Sequence, residues 1–141
     1  MAYKFQEDIA TADISVKATG KDLTELFQSM ADAFVKICAE PESVKPEIKK
    51  EVRLEHTDIE KLMFNFLEEL VFMKDAEPMV FNEIEVKVTK GNIFQLHAEL
   101  IGDSIKPGKQ ILNMDVKAVT LHRFFVKKTK HGWETEVIFD I

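Results

Sequence analysis

Residues 12–38 read ADISVKATGKDLTELFQSMADAFVKIC, and within this stretch the period of the apolar pattern changes once. Up to Thr19 the residues alternate. Ile14, Val16 and Ala18 share one parity, and Asp13, Ser15, Lys17 and Thr19 share the other. Such alternation marks a strand with one dry face. Gly20 breaks it. Leu23, Leu26, Phe27, Met30, Ala31, Phe34, Ile37 and Cys38 then follow at helical spacing, which predicts an amphipathic helix ending before Pro41. The join carries its own start signal. In Asp22-Leu23-Thr24-Glu25 an Asp stands where a cap accepts an orphan amide, with Glu three residues on.

The same two periods recur downstream. Residues 40–50 are charged, contain Pro41 and Pro46, and read as a loop. Glu51–Glu55 alternates as a short strand. Thr57-Asp58-Ile59-Glu60 has the form of a second capping box. Behind it Ile59, Leu62, Met63, Phe66, Leu67, Leu70 and Met73 form a second helical stripe, with Pro78 beyond its end. Val80–Val88, Ile93–Ile101, Met114–Lys128 and Trp133–Phe139 are rich in β-branched and aromatic residues and read as strands. Gly91-Asn92 and His131-Gly132 mark turns between them, and Gly102–Gly108 a longer loop. Tight turns join antiparallel neighbours only. The economical arrangement is an α+β two-layer sandwich, a mostly antiparallel sheet with both amphipathic helices on one face.

With 141 residues, 45% of them hydrophobic, the chain is expected to be one domain, 1–141, with a real core. The net charge of −6 and pI near 5.3 argue against direct, unaided binding to a phosphate backbone. They suit a basic protein partner reached by electrostatic steering. Lys127, Lys128, Lys130 and His131 cluster around Gly132 and read as a solvated hairpin turn. The one cysteine, Cys38, lies on the apolar helix stripe and reads as a small core residue. The sequence shows no leader of charged-then-apolar type and no apolar run of bilayer-spanning length. The expectation is a cytoplasmic protein without membrane contact.

Familiar catalytic and nucleotide signatures are missing, including Gly-x-Gly-x-x-Gly, the P-loop and Gly-x-Ser-x-Gly. His56, His97, His122 and His131 do not fall at zinc-ligand spacing. His56 and His131 read as surface residues, His97 as solvent-facing on its strand, and His122 as a satisfied, partly buried side chain. The terminus is unusual. The apolar run from Trp133 carries the chain to Phe139-Asp140-Ile141, where the Asp140 side chain lies beside the free α-carboxylate. A divalent cation is the natural counterion for two such groups, and a solvated pair of carboxylates is the plain alternative.

Three segments together resemble the archease family. Thr11-Ala12-Asp13 matches the motif that opens that domain. Lys117-Ala118-Val119-Thr120-Leu121-His122 matches a late Lys-Ala-Val/Ile-Thr-Tyr-His motif. Asp140-Ile141 matches the family's terminal residues. Leu62–Phe72 resembles the helix segment Leu-Leu-x-x-Trp-Leu-x-Glu-Leu-Leu between them. There are two departures. The family start usually reads Asp-His-Thr-Ala-Asp, whereas Asp8-Ile9-Ala10-Thr11-Ala12-Asp13 has no His there, and Leu121 stands in place of Tyr.

The resemblance implies that Asp13, Asp140 and the Ile141 carboxylate meet and bind a divalent metal. All-oxygen ligands suit Ca²⁺, Mg²⁺ or Mn²⁺ and not zinc. The alternative for Asp13 is an ordinary salt bridge to Lys117. Lys117 itself is a candidate to pair with the acidic cluster or to contact a partner or the partner's nucleotide, against the alternative of an exposed strand lysine. The resemblance further implies a protein cofactor of the GTP-dependent tRNA-splicing RNA ligase. Such a cofactor promotes ligase guanylylation and multiple turnover and has no reaction of its own. Two competing readings are a stand-alone metal-dependent phosphohydrolase using Asp13 and Asp140, and a chaperone-like module for nucleic-acid enzymes.

Overall fold

The computed structural model describes residues 2–7 and 13–141 of the chain. In chain order they form strands β1 (Ala2–Glu7) and β2 (Asp13–Gly20), helix α1 (Leu23–Cys38), strand β3 (Ile48–His56) and helix α2 (Ile59–Ala76). Strands β4 (Met79–Lys90), β5 (Phe94–Ser104), β6 (Ala118–Thr129) and β7 (Gly132–Asp140) follow. Among the described residues every strand pairing is antiparallel. The α+β class and its antiparallel pairing follow the expectation from sequence. The sheet comes in two pieces, one in the order β1-β2-β7-β6 and one in the order β3-β5-β4.

Helix α1 starts where its cap predicts. Asp22 is extended at φ −136° and its carboxylate accepts the Glu25 amide at 2.9 Å. The Glu25 carboxylate turns back to accept the Lys21 amide at 2.7 Å. The helix then sits between the two sheets. The Phe34 ring meets Phe139 of β7 edge-on at 5.8 Å and Phe81 of β4 at 6.2 Å. Phe27 reaches Phe66 of α2 at 6.0 Å. One core cluster therefore joins both helices and both sheets, and each fully buried Phe or Leu in it contributes about 1.5–3 kcal/mol. Contact on two sides explains why Ser29, Ala33 and Val35, off the expected stripe, are buried as well.

The polar side of α1 also has a structural task. Thr24 Oγ1 accepts the Val88 amide at 3.0 Å and donates to the Val88 carbonyl at 3.1 Å. Gln28 Oε1 accepts the Val86 amide at 2.9 Å, and its Nε2 donates to the Ile84 carbonyl at 2.7 Å. β4 is an edge strand, and an edge's open amides and carbonyls invite pairing with another chain. Two helix side chains one turn apart occupy them here.

Several boundaries differ from the sequence expectation. β1 was not anticipated. β3 begins at Ile48, inside the expected loop, because Ile48 packs on the core. The cap of α2 is Asp58, which accepts the Glu60 and Lys61 amides at 2.9 and 3.4 Å. Glu60 does not return to Thr57, as a capping box requires. Its carboxylate accepts the Val126 amide of β6 at 3.0 Å. Met114–Lys117 is not strand. The Asn113 and Met114 amides donate to the Cys38 and Ile37 carbonyls, each at 2.9 Å, so this connection closes the C-terminal end of α1. Lys74, 5% exposed, clamps the same connection to α2 through Asp115 at 2.8 Å. Cys38 is buried beneath it as expected, and burial pushes its thiol up to about 12. Among the described residues no helix is long and apolar enough to cross a membrane.

Candidate functional site

Sheet register brings the candidate residues together. β7 lies between β2 and β6. Val16 opposes Val137 and Ile14 opposes Phe139, and that parity turns toward α1, where Phe34 waits. The opposite parity points away from the helix. On it Asp13, the first residue of β2, lies directly across from Asp140, the last residue of β7. On the other side of Asp140 is Ala118 of β6. The two acids are thus 127 positions apart in sequence and share one row of one sheet face.

Directly opposed residues of an antiparallel pair hold their Cβ atoms about 4.5–5.5 Å apart, and like charges placed so repel. Both acids are half-buried, and on the same face Ser15, Glu136 and Ile138 are buried. Solvent screening is therefore incomplete. Ser15 donates to Glu136 at 3.3 Å in the adjoining row. The terminus is not frayed. The Ile141 side chain packs against the main core, and the Lys117 amide donates to the Asp140 carbonyl at 2.8 Å. Those two contacts fix the backbone that carries the Asp140 side chain and the terminal carboxylate.

The donor set is all oxygen, comprising Asp13, Asp140 and the Ile141 carboxylate. It fits a hard divalent cation, which takes six or more oxygens at about 2.0–2.6 Å and accepts water for the remainder. Among the described residues no group of three or more His, Cys, Asp or Glu side chains gathers at metal-binding distance. The site therefore rests on two acidic side chains plus the chain terminus, whose carboxylate is not a side chain. Thr11 and Ala12 of the opening motif lie outside the described residues.

The remaining candidates sort by position. The Lys117 backbone belongs to the site through its amide, while its side chain is exposed. His122 is exposed, contrary to the expected partly buried side chain, and its amide donates to Thr120 Oγ1 at 3.3 Å. His97 is half-buried, with Nε2 3.4 Å from Glu51. Arg53 and then His97 hold the Glu51 carboxyl below its ordinary value. His131 is exposed as expected, whereas His56 is half-buried and its Nδ1 accepts the Asp58 amide at 2.9 Å. In the basic hairpin, Lys127 pairs with Glu134 at 3.3 Å and lies over the Phe125 ring, a solvated turn in agreement with its pattern.

One feature escaped the reading of Met114–Lys128 as plain strand. Thr120 opposes Ile138 and Phe125 opposes Glu136. Four residues of β6, Leu121 to Phe124, therefore stand against the single Val137 of β7. This bulge carries Arg123 at φ +55° and leaves Leu121 68% exposed. The sequence does hold a trace of it. Val119 and Leu121 are on odd positions, whereas Phe124 and Val126 are on even ones, and an odd number of extra residues is what shifts the parity.

Comparison with known proteins gives the family and the fold. The archease protein family matches residues 3–141. "Protein archease" of Pyrococcus abyssi is 35% identical over 133 residues, covering 93% of this chain and 94% of that protein. The protein of the same name from Archaeoglobus fulgidus is 31% identical over the full length of both. Among solved structures, protein 1598 of Methanobacterium thermoautotrophicum superimposes with TM-score 0.79 at 27% identity, over 99% of this chain and 98% of that one. A Thermotoga maritima structure described as an archease and possible chaperone has TM-score 0.64 at 18% identity, covering 96% of this chain and 97% of that one. At that identity the likeness is one of fold.

Proposed function

The chain belongs to the archease family, and from that premise we propose that it is a protein cofactor that activates a tRNA-splicing RNA ligase. It does so through a divalent metal held at the end of β7. The observation that carries this reading is the register of Asp13 on Asp140 beside the terminal carboxylate. Those three groups would hold Ca²⁺, Mg²⁺ or Mn²⁺. Bound there, the ion would neutralise phosphate charge at the ligase's nucleotide site. The chain's own residues do the positioning. The strand pairing sets the spacing of the two carboxylates, the Lys117 amide fixes the Asp140 backbone, and the half-buried Ile141 side chain, packed on the core, holds the terminus. The exposed Lys117 side chain stands at the same end of the sheet and is the candidate for contact with the partner's nucleotide.

The test is a guanylylation assay with GTP and Mn²⁺, with and without ligase. Faster ligase guanylylation in the presence of the chain, and no GTP turnover without ligase, supports the activator. Turnover by the chain alone supports the metal-dependent phosphohydrolase and removes this reading. A second reading has an observation of its own. Ile105, Ile111, Leu112 and Met114 expose apolar surface within one connection, which is what a chaperone-like module would present. Metal-independent protection of a nucleic-acid enzyme from aggregation, without faster guanylylation, would favour it.

A further inference from the structure

Among the described residues the two sheets end in four edge strands, β1 and β6 of one and β3 and β4 of the other. An edge turns every second amide and carbonyl outward, and such a row pairs with a chain that fits it. Three of the edges are covered, broken or short. Thr24 and Gln28 of α1 occupy β4. β6 is interrupted by its bulge and gives its Val126 amide to Glu60 of α2. β1 has six residues. β3 has nine, and it runs against β5 from Ile48 to His56 without a bulge. Among the described residues no hydrogen bond reaches the backbone on its outer side.

The side chains of β3 show what that edge fits. Lys49, Glu51, Arg53 and Glu55 stand on the parity opposite the buried Val52, and all four are exposed. Charge on an edge is a common guard, because a row of one sign repels its own copy. This row alternates in sign, and in one register it attracts its own copy. With two copies of β3 antiparallel about Val52, Lys49 of each opposes Glu55 of the other, and Glu51 of each opposes Arg53 of the other. All four contacts then join opposite charges, which favours the pairing. Centred on Glu51, the same strands set Lys49 against Arg53 and Glu51 against itself. Centred on Arg53, they set Glu51 against Glu55 and Arg53 against itself. A parallel, in-register pair opposes every charge with its own kind. Val52 is also the midpoint of Ile48–His56, so the register that matches the charges is the one that overlaps the whole strand. In the free chain Arg53 Nε donates to Glu51 at 2.7 Å and Lys49 pairs with Glu99 at 3.2 Å. Glu55 has no ionic partner among the described residues, and Lys49 of a second copy supplies one.

We propose that β3 is a self-recognition edge. Two copies of this chain pair antiparallel about Val52 and join their three-stranded sheets into one, in the order β4-β5-β3-β3-β5-β4, around a two-fold axis. Asp13 and Asp140 belong to the other sheet, so the pairing stands or falls independently of the activator reading.

The test is sedimentation of the full chain over a concentration series, joined to residue-level hydrogen exchange. The wild type should pass from monomer to dimer, and protection of the β3 amides should rise with concentration. Glu51→Arg and Arg53→Glu each make two of the four contacts repulsive. Each should raise the dimer dissociation constant by about tenfold or more. The Glu51 and Arg53 side chains are 51% and 71% exposed, so at dilutions where every chain is monomeric both variants should melt with the wild type. The double variant Glu51→Arg/Arg53→Glu restores opposite charges at all four contacts and should dimerise again. An equimolar mixture of the two single variants should form a heterodimer, because each supplies the charge the other lacks. A wild type that stays monomeric up to about 1 mM overturns the proposal. So does a dimer that survives either single reversal unchanged, since another surface then holds it. A double variant that stays as monomeric as the single ones also overturns it, because the charges then do not face each other across the two-fold axis.

Discussion

Asp140→Asn is predicted to stabilise the metal-free protein and to weaken its response to metal. The amide keeps the size of the side chain and the β7 backbone that pairs with Asp13, Ala118 and the Lys117 amide. What it removes is one of two charges on opposed strands. At a separation of about 5 Å two unit charges repel by about 0.8 kcal/mol in bulk water and about 3 kcal/mol at an effective dielectric of 20. The pair is half-buried, so the relief lies in between, at about 1–3 kcal/mol. For a chain of 141 residues the unfolding entropy is about 0.3 kcal/mol per degree. The metal-free melting temperature should therefore rise by about 3–10 °C. The wild type, at a metal concentration about 100 times its Kd, gains about 2.7 kcal/mol, or about 9 °C. The variant should gain less than half of that, since one of its carboxylate ligands is gone. The assay is a pair of melting curves, in chelator and in saturating Mg²⁺, Mn²⁺ or Ca²⁺. A variant that melts below the wild type in chelator, or shifts as far with metal, refutes the argument from opposed carboxylates.

Four further outcomes follow from other contacts. A short C-terminal extension should abolish the metal-induced shift and ligase activation with little loss of metal-free stability, because it converts the terminal carboxylate into an amide; a tagged protein that keeps both shows that the Ile141 carboxylate has no role. Leu67→Ala removes a fully buried side chain and should cost about 2–5 kcal/mol in denaturant unfolding, while activity per folded molecule stays unchanged. Gln28→Ala strands the Val86 amide and the Ile84 carbonyl at the β4 edge, costing about 1–3 kcal/mol; sedimentation should show increased self-association as the edge opens. Burial holds the Cys38 thiol protonated up to about 12 in the folded chain against 9.0 in the ordinary thiol. The folded state then binds the extra proton between those values, so stability falls as pH rises through that window, and Cys38→Ala should remove that component from the pH–stability curve.

Several features could be read from sequence because they depend on residues within a turn of one another. The Asp22 cap, the apolar stripes of both helices and the alternation in Ile14–Ala18 are local interactions, and the structure repeats them. Asp13 could be assigned to the face opposite Ile14 and Val16 on parity alone. Parity does not say what lies across from it. That Asp140 is its neighbour depends on β2 choosing β7, a pairing of strands at opposite ends of the chain. The same limit explains the second capping box. Glu60 has the right spacing for its own helix, yet its carboxylate serves Val126, because β6 passes the start of α2.

What the sequence by itself determined is the α+β character, the helix starts, the core stripes and the dry and wet faces of the strands. Each follows from a period of two or 3.6 and from backbone groups satisfied nearby. Only the tertiary structure decided that the sheet divides, that α1 lies between the halves with Thr24 and Gln28 sealing an edge, and that an acid row ends beside a strained bulge. Those outcomes depend on which distant backbone amides and carbonyls meet. Satisfying them is a condition on the whole chain that no window of neighbouring residues contains.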